Sequence, residues 1–492
     1  MKRRTFLRAA AGTTAAGLFA GCGGRKAGDV SAATGTETPA SQSTETPSPT
    51  AVDEPVVPEE AFERTLDAVA DLGMDPDGEE PIDGALEAAL EPKTLIEFPP
   101  GQYLATKSHV LFEVDTFGMR GLGESRSDVE FVFPEGNEGS EDPGDYLMFN
   151  IRDGENVLLD NFTVQQTQDM VTGVGMVVAL RDGLSITNVE WAGFNPAEEH
   201  DPGSCLRVRI TETDGLGVID GFHCRGGGVI KKYPARKGGI YLGSAHRGEI
   251  RLLNSDIRNM GSSAMYFTQH RGCARIENCY FENNDNTNIR IDGGSHPEKQ
   301  SWVKNCQVFL DTENAARVPE GEQYLKTRAI LCESGGENRS FGGNNGVLFD
   351  DVDVHVQSMP VNSTAAAIVA VRDNHGSATF RHLQVFTRAD GVAPFVAEQA
   401  DERLAKEPYD LTLEDVNVVG PADVEHAITV TGRDESVVRD SYLHLYDHDQ
   451  NGIHLQECNG CEISDTLVNV PGEPVVLTRS NPTSVDVQTG GE

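Results

Sequence analysis

The chain has 492 residues, of which 40 are basic and 78 acidic, for a formal net charge of -38. Such a balance repels phosphate backbones, which argues against nucleic acid as a partner. It keeps a protein hydrated where salt screens self-repulsion, so we expect a halophilic, archaeal source.

The first residues read as an export signal. Lys2, Arg3, Arg4, Phe6 and Leu7 form a twin-arginine motif before an Ala/Gly-rich run too short to span a membrane. Residues 18–22 (LFAGC) resemble a lipoprotein cleavage box, so 1–22 is expected to be a lipoprotein signal with Cys22 as the lipidated N-terminus. Residues 23–57 are rich in Thr, Ser and Pro and almost free of large apolar side chains, the composition of a disordered tether. The implied location is the cell surface, anchored by lipid to the outer face of the cytoplasmic membrane.

Residues 58–94 are expected to form a helical cap. Phe62, Leu66, Val69 and Leu72 have the spacing of one amphipathic helix, and residues 82–90 suggest a second, shorter one. The string TLIEFPPGQYLAT (94–106) then reads as strand, tight turn and strand, a hairpin closing the first coil.

From about residue 95 to 485 the chain repeats itself. Residues 239–243 (GIYLG), 264–268 (AMYFT) and 288–292 (NIRID) alternate inward aliphatic with outward variable residues, as half-buried strands do. Each is coupled to a word of the form aliphatic, any, Asn or Asp, any, any, aliphatic. That word centres on Asn254, Asn278 and Asn305 and recurs at Asn161, Asn188, Asp220, Asp351, Asp415, Asp440 and Asp465, with His382 once in the slot. Asn and Asp tolerate left-handed dihedrals, so the word marks a fixed bend between strands. Repeats of about 25 residues, too small to bury their own apolar faces, signal a stacked solenoid. The pattern resembles the right-handed parallel β-helix of the pectate-lyase-like superfamily, which implies an all-β solenoid behind a short α-helical cap.

Nine cysteines include Cys279 and Cys306 in one slot of successive coils, placed to stack either as a disulfide or as free thiols. Cys458 and Cys461 form a lone CxxC, read as core packing or a local disulfide rather than zinc. The sequons at Asn161, Asn338 and Asn362 permit glycosylation of an exported chain.

Period-two alternation sends Tyr241, Tyr266, Arg290 and Leu331 outward in one column and Gly243, Thr268, Asp292 and Glu333 in the next. Arg207 and Arg209 precede them by the same rule. Tyrosine rings stack on sugars and arginine forks grip carboxylate or sulfate, so this face suits an acidic polysaccharide. Between Cys205 and Arg258 lie ten basic against five acidic side chains, and Lys231, Lys232, Arg236 and Lys237 form a glycine-flanked loop placed to close over an anionic polymer.

Two chemistries fit that face. A polyuronate lyase needs the sugar carboxylate neutralised, here by Arg207 and Arg209 or by calcium, and a base such as Tyr266, His270, Arg290 or Lys237 to take the C5 proton. A hydrolase needs two carboxylates, for which Asp292 and Glu333 are the best pair. The aspartate clusters of calcium-dependent pectate lyases and the motifs of polygalacturonases are missing, and His223, His246 and His270 read as surface or loop histidines, not metal ligands. A tethered β-helix that binds surface glycans without chemistry is the alternative.

Overall fold

The computed structural model describes residues 56–133, 145–166, 173–194, 203–228, 237–315, 326–334, 346–360, 363–447 and 449–490. The signal, Cys22, the tether up to residue 55, Lys231, Lys232, Arg236, Asn338 and Asn362 lie outside them, while Val57, expected to close the tether, is buried against Leu95 and Leu158. The described strands form two sheets, one of 23 strands that bends around two sides of the coil and one of 13 that makes the third side. They are called here the bent sheet and the front sheet. Every strand pairing is parallel, with each strand hydrogen-bonded to its counterpart one coil away, as in Ile240↔Met265 and Met265↔Ile289. The fold is a right-handed parallel β-helix.

Sequence dictates the bend directly. The left-handed residue of the turn word has φ of 57° at Asn161, 50° at Asn188, 47° at Asn254, 55° at Asn278 and 50° at Asn305, and the later coils place Asp351, His382, Asp415, Asp440 and Asp465 there. One slot differs from the reading above. In its coil Gly221, at φ 68°, takes the bend, and Asp220 instead accepts a hydrogen bond from Asn254 Nδ2 at 2.7 Å. Asn161 donates its amide to the carbonyls of Gly121 and Gly123, both at 2.9 Å, so that sequon's nitrogen is spent on the turn.

The inward residues form one continuous core. Ile240, Leu242, Met265, Phe267, Ile289 and Ile291 are at most 1% exposed, and each buried aliphatic side chain contributes roughly 1.5–3 kcal/mol. Phe349 and Phe380 stack along the axis with centroids 4.6 Å apart. All eight described cysteines are buried free thiols, including Cys279, Cys306, Cys458 and Cys461, and Cys205 Sγ lies 3.5 Å from Cys224 Sγ.

The N-terminal end departs from expectation in two places. Asp83–Ala89 is an α-helix, but the stretch from Phe62 to Leu72 is not. A 3-10 turn, Glu59–Ala61, leads into a strand, Arg64–Asp67, which pairs with Thr94–Phe98. A ready strand edge outweighs local helical spacing, because pairing satisfies a row of backbone groups at once. Thr94–Phe98 and Gly101–Leu104 are also no hairpin. They are successive sides of one coil, pairing with Val114–Gly121 and Val129–Val132 in the next.

Candidate functional site

The front sheet brings the expected column together. Arg207 is in register with Tyr241, Tyr241 with Tyr266, and Tyr266 with Arg290. The side chains form one stacked ladder: the Arg207 guanidinium lies 5.9 Å from the Tyr241 ring centre, the two tyrosine rings meet edge to face at 5.4 Å, and the Arg290 guanidinium sits 3.9 Å over Tyr266. Glu333 completes it, accepting from Arg290 Nε at 2.7 Å. Gln269 Nε2 donates to the Tyr266 hydroxyl at 3.3 Å. Each contact is of a kind contributing about 0.5–2 kcal/mol, so the ladder is held rigid before any ligand arrives.

The column does not stay polar. Leu331, expected as its next outward member, is 3% exposed and packs with Ala367 and Ala370 beside Val396. The column is therefore apolar for the steps after Arg290, through Leu331, Ala370 and Val396.

The second column is more enclosed than alternation predicts. Arg209 lies across Gly243, where a side chain would meet its Cδ at 3.4 Å. Thr268 is fully buried and Asp292 is 2% exposed. Asp292 Oδ1 accepts from the Gly294 amide at 2.7 Å and Oδ2 from the Gln269 amide at 2.8 Å. Burial pushes its carboxyl up to about 8, and the Glu333 charge adds to the rise. Burial thus favours the protonated form of Asp292, while Glu333 is ion-paired to Arg290.

His270 and Lys237 are corrected in the same way. His270 is fully enclosed, with Nε2 3.2 Å from Asp292 Oδ1, and burial followed by the neighbouring His246 lowers its pKa to about 3. His246 is equally buried, 5.5 Å from the His270 ring; its Nδ1 accepts from the Ile210 amide, and Nε2 faces the Cys273 carbonyl. Lys237 is 1% exposed. None of these three is a surface group, so neither His270 nor Lys237 reaches a polymer on the outer face. Corners of the coil place consecutive residues inward, which alternation alone does not anticipate.

The local excess of basic residues is also smaller than the count. Arg225 pairs with Glu190, Arg251 with Glu249, and Arg258 with Asp256 and Glu282, all on the bent sheet. Among the described residues no group of three or more His, Cys, Asp or Glu side chains stands together as a metal site. No described helix is long and apolar enough to cross a membrane. Sequence reasoning missed Gln269, whose amide fixes Asp292 and whose side chain touches Tyr266, and Arg328, which opens the next front-sheet strand.

No protein-family model matches the chain, and no curated protein matches it. Among solved structures it is similar to the Streptococcus pneumoniae surface protein and adhesin PfbA, at 11% identity and a TM-score of 0.48 over 84% of this chain and 100% of that one. It is also similar to the catalytic unit of a thermostable α-1,3-glucanase from Streptomyces thermodiastaticus, at 15% identity and a TM-score of 0.38 over 87% and 70%. A third is the A-module of the mannuronan C-5 epimerase AlgE4 from Azotobacter vinelandii, at 11% identity and a TM-score of 0.39 over 87% and 100%. These are likenesses of β-helix architecture.

Proposed function

We propose that this protein is a cell-surface β-helix that holds an acidic polysaccharide along the outer face of its front sheet. The observation carrying the reading is the Arg207, Tyr241, Tyr266, Arg290 ladder, two guanidiniums flanking two aromatic rings on a rigid, regularly spaced surface. Rings offer apolar faces to sugars, and guanidinium forks offer paired donors to carboxylate or sulfate. Arg209 extends the cationic edge, and the loop carrying Lys231, Lys232 and Arg236 is the candidate cover. Export by the twin-arginine motif and a lipid on Cys22 would present this face outside the cell.

Catalysis on the same polymer is a second reading, favoured by the Asp292 carboxyl, whose pKa burial raises, beside Glu333, the ion-pair partner of Arg290. Hydrolysis would require the Asp292 carboxyl, 2% exposed and held by the Gly294 and Gln269 amides, to open onto the face before giving its proton to the leaving oxygen, and Glu333 to part from Arg290 before serving as base or nucleophile. In elimination Tyr266 or Arg290 would take the C5 proton, with Arg207 and Arg209, or a calcium ion, neutralising the carboxylate. The test incubates the protein at high salt with pectate, alginate and sulfated glycans. Binding without new ultraviolet absorbance or reducing ends supports the holding role; unsaturated products support elimination, and reducing ends alone support hydrolysis. Failure to bind any acidic polymer overturns the proposal.

A further inference from the structure

Two buried arginines are treated in opposite ways by this fold. Arg433 is fully enclosed, and its guanidinium donates to the carbonyls of Glu398, Gly376, Tyr409, Arg372 and His375 at 2.8–3.1 Å. Its charge is answered from every side, as a structural guanidinium requires. Arg328 is 5% exposed, yet its Nε has no acceptor and no carboxylate pairs with it among the described residues.

The position of Arg328 gives that deficit a meaning. It opens the front-sheet strand Arg328–Cys332, with Thr287 beside it in the preceding coil and, continuing the register from Ile330↔Val369, Ala367 in the next. Along the same face the apolar step of Leu331, Ala370 and Val396 leads to two ion pairs, Arg290 with Glu333 and Arg372 with Glu398. Burial lowers the pKa of Arg328, the charge of Arg372 lowers it further, and Glu333 and Glu398 oppose that fall while Arg290 adds to it, so three guanidiniums and two carboxylates share one electrostatic neighbourhood. Three cations there face two glutamates, and Asp292 adds no negative charge at neutral pH. Among the described residues one positive charge is left over, and Arg328 is the guanidinium there that has no ion pair.

We infer that Arg328 is the anchor for an anionic substituent, a carboxylate or a sulfate, of a polymer lying on the front sheet. The inference rests on the polysaccharide reading of that sheet and names the group that the far end of the ladder recognises. A guanidinium presents two parallel donors to either oxyanion, and in a desolvated setting that contact is far stronger than at an open surface. A bound anion supplies the acceptor that the described residues withhold, so affinity and selectivity for charged glycans come from the same residue.

The experiment compares wild type, Arg328→Met and Arg328→Lys by calorimetric titration with oligogalacturonate, a sulfated galactan oligomer and the same galactan desulfated, alongside thermal unfolding. Methionine is expected to weaken binding of at least one charged probe by about ten- to a hundredfold, as loss of a charged hydrogen bond does, and to leave the desulfated probe unchanged. Which charged probe is affected identifies the oxyanion. Unfolding temperature should stay level or rise, because an unanswered buried charge is removed. The lysine variant should recover part of the affinity, and it keeps the test readable if the methionine variant misfolds. Undiminished binding of both charged probes overturns the inference while leaving the polysaccharide reading intact. A drop of several degrees in unfolding temperature in both variants also overturns it, assigning Arg328 to the scaffold. If wild type binds neither charged probe, the reading of the face falls with it.

Discussion

Replacing Asp292 by asparagine removes a carboxyl that burial, with help from Glu333, has pushed from 3.8 to about 8. Between those two values the folded chain holds a proton that the unfolded chain has released. The contribution of this carboxyl to stability is therefore fully present below about pH 4, falls by about 1.4 kcal/mol for each pH unit above it, and levels off once the folded carboxyl also ionises near pH 8. At 2% exposure there is little solvent to screen this, and the whole window is on the order of 5 kcal/mol. Asparagine does not titrate, but its amide can replace only one of the two acceptors used by Gly294 and Gln269, a constant loss of about 1–2 kcal/mol. The variant should therefore be the weaker protein in acid, match wild type near pH 5, and lead by roughly 3 kcal/mol at pH 8. Denaturant titration of both proteins at fixed salt across that range measures the difference. A gap that stays the same at every pH would refute the claim that Asp292 is held protonated.

Arg433→Met leaves five buried carbonyls without their donor and should cost about 3–5 kcal/mol, seen as a lowered denaturation midpoint. An unchanged midpoint would mean that those carbonyls find other donors. Tyr266→Ala breaks the ladder at its centre and should weaken polymer binding about tenfold, whereas Tyr266→Phe, which gives up only the contact from Gln269, should bind like wild type. If phenylalanine fails as badly as alanine, the hydroxyl and not the ring is what the polymer uses. The eight buried thiols should ignore a maleimide reagent in the native protein and all react in denaturant; a shortfall there would reveal disulfides in the purified protein.

The regular part of this fold was written plainly in the sequence. A left-handed bend accepts few residue types, so ten of the eleven word slots, nine filled by Asn or Asp and one by His382, hold the bend, and the glycine beside Asp220 took the other. Period-two alternation likewise gave the register of Arg207, Tyr241, Tyr266 and Arg290. Depth was not legible. Alternation states on which side of a strand a residue starts, but whether Asp292, His270 or Lys237 meets water depends on corners built from other coils. Arg328 escaped notice for a related reason: its isolation is a fact about the neighbouring positions, Thr287 and Ala367, which are some forty residues away on either side. At the N-terminal end, the spacing of Phe62, Leu66, Val69 and Leu72 favoured a helix, and only the edge offered by Thr94–Phe98 explains the strand found there.

Because the bend recurs at the same structural point, the chain can be cut and rejoined there without disturbing what lies on either side. Asn254 and Asn278 are 24 residues apart and occupy equivalent places in successive coils. Excising or duplicating that interval would shorten or lengthen the molecule by one storey, leaving every remaining strand a partner in register. The length of the face is thus set by how many storeys have been copied, and copying errors in the gene are a direct route to proteins with shorter or longer faces.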